Sequence, residues 1–204
     1  MRRILRVRAV AALIVGVLLA AAVISPAVAS AIPAPTQAIY RFYNQSTGAH
    51  FYTNSVAERD HVIATWPTLF TYEGPAFYVY DESLFEVPVS PAGVGPVLPS
   101  APIYRFFNKL NGSHFYTMSA EERDMVIAKY AGTFSYDGVG FNAYPEAVEY
   151  MPLMPVYRFY NMENGSHFYT ISPEEKALVL LYYGDTYRFE GVAFYAFSWY
   201  MVAS

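Results

Sequence analysis

The sequence predicts an α+β, β-rich domain of three ββαβ-type repeats closed around a pseudo-threefold axis, trefoil- or propeller-like, and three observations carry that prediction. Residues 40–80, 104–144 and 157–197 align without a gap. Each copy opens with two short aromatic runs parted by a polar segment that ends in glycine. Each then places a glutamate three residues after a serine, the signature of a helix start.

Fourteen positions are the same in every copy: Tyr40, Arg41, Phe42, Asn44, Gly48, His50, Phe51, Tyr52, Thr53, Ser55, Glu58, Val62, Gly74 and Phe77. Tyr40-Arg41-Phe42-Tyr43 and His50-Phe51-Tyr52-Thr53 read as a hairpin in which Gly48 takes a positive φ, and Gly112 and Gly165 repeat the device. The helix follows at Ser55-Val56-Ala57-Glu58, Ser119-Ala120-Glu121-Glu122 and Ser172-Pro173-Glu174-Glu175. These are capping boxes in which Pro173 suits the first helical position. Val62 with Trp66, Val126 with Tyr130 and Val179 with Tyr183 stand at i, i+4 and predict the face that lies on the sheet. Pro67, Gly132 and Gly184 end the helices. The last segment alternates aromatics around Glu73-Gly74, Asp137-Gly138 and Glu190-Gly191, which reads as a bulge or tight turn between two strand pieces.

A unit of about 41 residues cannot bury its aromatic face alone, so the copies are expected to share a core. Closure is favoured over an open row because three copies are near the minimum for an array and neither end has a polar capping repeat. Residues 81–103 and 145–156, the first rich in proline, are expected to be extended connectors.

Residues 1–31 have the parts of a secretory signal: Arg2, Arg3, Arg6 and Arg8, an apolar run over 9–24, and small residues with cleavage after Ala29 or after Ala31. The expected mature domain is 32–204. Losing those four arginines leaves 9 of the 13 basic residues against 17 acids, a formal charge of −8, which disfavours binding to nucleic acid or anionic polymers. With no cysteine, a disulfide framework, a thiolate metal site and a lipoprotein anchor are excluded. All 20 Tyr, 15 Phe and 2 Trp lie after residue 31, enough aromatic area for a core without disulfides.

The run Tyr-Arg-Phe-Tyr-Asn, then Gly-x-His-Phe-Tyr-Thr, then Glu-Gly-x-x-Phe resembles a triple-repeat domain family of unknown function in secreted bacterial and fungal proteins. The resemblance covers nearly the whole mature chain. It implies an accessory domain that attaches to an extracellular polymer, and it offers no catalytic residues to carry over.

His50, His114 and His167 attract attention, since one imidazole from each copy could meet its twins at the axis with a fourth position open for zinc. Each equally suits a neutral ring bonded to the loop backbone, or a ligand contact. Glu58, Glu122 and Glu175 could be paired acids, but the capping box already accounts for their spacing. Arg41, Arg105 and Arg158 are expected to bond buried acids such as Glu73, Asp137 and Glu190. Asn44-Gln45-Ser46, Asn111-Gly112-Ser113 and Asn164-Gly165-Ser166 fit a glycosylation acceptor pattern and read as turns.

The function these features favour is a secreted, non-catalytic module for a cell-wall or extracellular polysaccharide, without metal or cofactor. The expected ligand-binding residues are Asn44, His50, Tyr52, Asn108, His114, Tyr116, Asn161, His167 and Tyr169, on hairpin loops presented three times. A secreted hydrolase or an envelope protein-interaction module are the alternatives. No role is expected for membrane or nucleic acid once the signal is removed.

Overall fold

Every unit opens on the hairpin its sequence encodes: β1 (Gln37–Asn44) turns back through Gly48, at φ 69°, into β2 (His50–Thr53). Gly112 and Gly165 sit at φ 71° and 72°, a region open to glycine at no steric penalty. A computed structural model describes residues 37–79, 100–148 and 151–198, all within one unit spanning 32–204. The expected signal at 1–31 and most of the connector at 81–103 lie outside the described residues.

In unit 1 the hairpin is followed by α1 (Val56–Thr65) and β3 (Phe70–Val79). Unit 2 is β4 (Ala101–Asn108), β5 (His114–Thr117), α2 (Ala120–Lys129) and β6 (Phe134–Ala143). Unit 3 is β7 (Leu153–Asn161), β8 (His167–Thr170), α3 (Pro173–Tyr182) and β9 (Tyr187–Phe197). The chain is therefore β-rich α+β, with nine strands and three helices among the described residues. β1, β4 and β7 begin three to four residues before the repeat expected from identity, because those residues pair with the end of the third strand: Gln37 with Val79, Ala101 with Ala143, Leu153 with Phe197. Ile39, Ile103 and Val156, in these added stretches, are fully buried.

The third strand runs on as one piece. Gly74, Gly138 and Gly191 at φ 94°, 93° and 105° mark bulges, with register shifts on either side of Tyr40-Arg41 and its copies. The strands form a six-stranded sheet ordered β2-β1-β3-β9-β7-β8 and a three-stranded sheet ordered β5-β4-β6. β3 meets β9 through Tyr78 and Phe197. A bridge between Tyr144 and Tyr195, with amide–carbonyl bonds of 3.0 and 2.8 Å, ties unit 2 to unit 3.

One core draws matching residues from all three units: Phe77, Phe141 and Phe194 meet edge to face at 5.9, 5.6 and 5.9 Å. Such a buried ring contributes about 2–3 kcal/mol by area, with a further increment for the edge-to-face geometry. Phe42 and Phe51 with Val62, and Phe106 and Phe115 with Val126, make smaller clusters under α1 and α2. The expected i, i+4 helix face is realised at one position only. Val62 and Val126 are buried and Val179 half-buried, whereas Trp66, Tyr130 and Tyr183 are 42 %, 48 % and 56 % exposed. Each of these aromatics is the helix C-cap, where the backbone has left helical φ and ψ and carries the ring away from the sheet.

Candidate functional site

Tyr52, Tyr116 and Tyr169 follow a histidine and a phenylalanine on β2, β5 and β8, and strand alternation turns them to the inner face. They are 1–2 % exposed, and their rings meet pairwise edge on at 5.6 to 5.7 Å. Every hydroxyl serves the backbone of the next tyrosine. Tyr52 donates to the Tyr169 carbonyl, Tyr169 to that of Tyr116, and Tyr116 to that of Tyr52, at 2.6 to 2.7 Å. Each hydroxyl accepts in return from the amide of the same tyrosine it donates to, at 3.0 to 3.1 Å. Burial pushes all three phenols well above their usual pKa. These residues were expected to face a ligand; their hydroxyls are instead taken up inside the core.

The histidines do not meet. His50 lies against Phe168, His114 against Phe51 and His167 against Phe115, each at 4.8 Å between ring centres and each across a boundary between units. Nε2 of each approaches a carboxylate of its own unit: Glu73 at 3.5 Å, Asp137 at 3.8 Å and Glu190 at 3.4 Å. Burial, and then the charge of Arg41, hold His50 down to about 3; burial and Arg105 hold His114 to about 4. Both rings are neutral at pH 7 and are weak bases there. Among the described residues, no group of three His, Asp or Glu side chains is placed to hold a metal ion.

The same carboxylates take the Nε of Arg41, Arg105 and Arg158, at 2.8, 3.3 and 2.9 Å, so these arginines do bond the acids expected for them. Their guanidinium ends reach further, into the next unit. Arg41 donates to both oxygens of Glu175 at 3.0 and 3.3 Å, Arg158 to both of Glu122 at 2.9 and 3.4 Å, and Arg105 to Glu58 at 2.9 Å. The glutamates are free to do so because the capping box is only half made. Ser55, Ser119 and Ser172 Oγ accept from the glutamate amides at 3.0 to 3.1 Å. The serine amides donate to Thr53, Thr117 and Thr170 Oγ1, each at 3.0 Å, and not to the glutamate side chains. No feature of the local sequence separates this half box from a full one.

Beside two of these junctions lie shallow clefts. One of about 400 Å³ opens next to Arg41 and Glu175, with Pro75, Met154 and Pro173 in its wall. Its counterpart beside Arg158 and Glu122 holds about 180 Å³. The arginines that border them are already bonded to two carboxylates each, which leaves little donor capacity for an anion.

Asn44, Asn108 and Asn161, 5–8 % exposed, cap the hairpin turn. Asn44 Oδ1 accepts from the amides of Ser46 and Thr47 at 3.0 and 3.2 Å, and Asn161 repeats this with Glu163 and Asn164. The hairpin tips meet one another: Asn111 Nδ2 donates to the Asn164 carbonyl and Asn164 Nδ2 to the Thr47 carbonyl, both at 2.7 Å. Asn111 and Asn164, two of the three asparagines in the glycosylation-like pattern, thus spend their amides on holding units together.

What the units do present outward is a different aromatic set. Trp66, Tyr130 and Tyr183 are joined by Tyr72, Tyr136 and Phe189, which are 38 %, 42 % and 38 % exposed. Tyr72 packs on Phe42 and Tyr40, and Arg59 lies 4.5 Å over the Tyr40 ring. Arg123 covers Tyr104 at 4.4 Å, while Lys176 covers Tyr157 at 4.2 Å and Phe189 at 4.9 Å. The alternation around Gly74 marked these strand rings as one face of a strand, without saying which face is wet.

Against known proteins, no curated relative matches the chain, and no solved structure does. A family model matches residues 23–91 and again 90–197, together most of the chain. On that match the chain belongs to the family described as Domain of unknown function (DUF5648).

Proposed function

We propose that this chain is a secreted, non-catalytic binding module that attaches to a cell-wall or other extracellular glycan through three repeated aromatic surfaces. On this reading its units close around a pseudo-threefold axis, so that the surfaces point away from a common centre. Closure is supported by the cyclic order of contacts, in which Arg41 bonds unit 3, Arg158 bonds unit 2 and Arg105 bonds unit 1.

The observation that carries the binding reading is the half-exposed ring at every helix C-cap: Trp66, Tyr130 and Tyr183. The cap bond is made by backbone alone, from the cap amide to the carbonyls of Val62, Val126 and Val179, so the fold needs no aromatic there. A flat ring at the surface suits stacking against the C–H face of a pyranose, and weak sites add when a polymer engages more than one. The surface lies at the helix C-cap and third strand, displaced from the hairpin loops expected from sequence.

The test is co-sedimentation of the purified protein with insoluble peptidoglycan, chitin and cellulose, combined with tryptophan fluorescence compared between wild type and Trp66→Ala to separate Trp66 from Trp199. Retention on one polymer is expected, with a loss of about tenfold for each of Trp66→Ala, Tyr130→Ala and Tyr183→Ala and a greater loss in the triple variant. If no polymer retains the wild type, or the triple variant binds undiminished, the reading fails.

A further inference from the structure

The three helices hold equivalent places and differ in what they turn to solvent. At four successive surface positions α1 carries Asp60, His61, Ala64 and Thr65, and α2 carries Asp124, Met125, Ala128 and Lys129. α3 has Ala177, Leu178, Leu181 and Tyr182 there. Leu178, Leu181 and Tyr182 are 53 %, 72 % and 69 % exposed, and their i, i+3, i+4 spacing gathers them on one stripe. α1 folds with small or polar residues at all four of these positions and α2 at all but Met125, so the domain does not require an apolar stripe there. Their exposure to water is unfavourable in the isolated chain and calls for a cover.

We propose that this stripe is a self-association surface, through which two copies of the chain pack α3 against α3 about a twofold axis. Charge and area both favour a second copy. From 177 to 184 the sequence Ala-Leu-Val-Leu-Leu-Tyr-Tyr-Gly has no ionisable charge at neutral pH, so two acidic chains can meet there without desolvating a charge or opposing like charges. Leu178, Leu181 and Tyr182, between 53 % and 72 % exposed, offer on the order of 350 Å² of apolar surface. With the polar rim that makes up about 40 % of an ordinary interface, this corresponds to roughly 600 Å² per partner, the lower edge of what a specific dimer buries and the size of a weak, reversible one. An isologous contact matches the patch with itself. One such patch per chain stops the assembly at two, where three would build a network.

The test is sedimentation velocity of the purified protein from about 1 to about 200 µM, with α2 supplying the substitutions. Leu181→Ala with Tyr182→Lys places on α3 what α2 carries at Ala128 and Lys129, a combination the unit is known to accommodate. A reversible dimer is expected for the wild type and at least a tenfold weaker one for the variant, with unchanged far-ultraviolet circular dichroism. Leu178→Glu provides a second disruption, and Ala128→Glu on α2 is expected to leave the dimer intact. The proposal is overturned if the wild type is monomeric across the range, including when it instead binds vesicles or another protein. It is equally overturned if both α3 variants dimerise as the wild type does. Neither result bears on glycan retention, which rests on other residues.

Discussion

The hydroxyl of Tyr52 donates to the carbonyl of Tyr169 at 2.7 Å and accepts from the amide of that same residue at 3.0 Å, so one side chain satisfies both backbone groups of a residue 117 positions away. Tyr52→Phe keeps the ring and leaves a buried amide and carbonyl unpaired. The expected destabilisation is about 2–4 kcal/mol, or a fall in thermal midpoint of roughly 5–10 °C for a domain of this size. Tyr116→Phe and Tyr169→Phe are expected to match it, because each hydroxyl makes the same two bonds. Thermal denaturation followed by near-ultraviolet circular dichroism is the measurement; a midpoint within a degree of wild type in all three would refute the cycle.

Glu122 and Ser119 act at one helix start by different means, and salt separates them. Ser119→Ala removes the cap and is expected to lose about 1 kcal/mol at any ionic strength. Glu122→Gln leaves that cap intact and weakens the two-pronged contact with Arg158, for about 1–2 kcal/mol at low salt and less at high salt, since Glu122 is 28 % exposed. Urea unfolding of both variants at low and high salt distinguishes them.

Acid should unfold the domain in two overlapping steps. His50 and His114 take up protons in the unfolded chain near pH 6.5 but only near 3 and 4 when folded, because burial disfavours the charged ring. The unfolded state binds more protons in that window, so stability is full above about pH 6.5 and declines as pH falls towards 4 and 3. Glu190 is held down to about 2, first by its bond to His167, so a second loss runs from about 4.5 to about 2. Asp137, whose pKa burial raises, acts in the opposite sense. Urea midpoints should stay level from pH 8 to about pH 6.5 and fall from there to pH 3, and His50→Gln should flatten the upper part of the decline.

The hairpin tips offer a stabilising change. Where units 2 and 3 have Asn111 with Ser113 and Asn164 with Ser166, unit 1 has Thr47 with Ala49, and it lacks the amide that would reach the Asn111 carbonyl. Thr47→Asn with Ala49→Ser restores the missing pair and is expected to add about 1 kcal/mol, a rise of roughly 2–4 °C in thermal midpoint. Calorimetry of the double variant against wild type checks it, and a lowered midpoint counts against equivalence of the three tips.

Local structure was legible because it is encoded locally. A glycine at φ near 70°, a serine cap and a period-two run each act over a few residues, and threefold repetition separates them from accident. The sequence by itself therefore determined the three units, their strand and helix order and the family resemblance. Tertiary structure alone decided which residues cooperate. Arg41 meets Glu175 across 134 residues, Arg105 meets Glu58 across 47 and Arg158 meets Glu122 across 36. It also put three tyrosines at the centre where three histidines were conceivable, and turned the helix-capping rings outward. Alternation along a strand names two faces but not which is buried; that depends on where neighbouring units stand, and so on contacts no single unit contains.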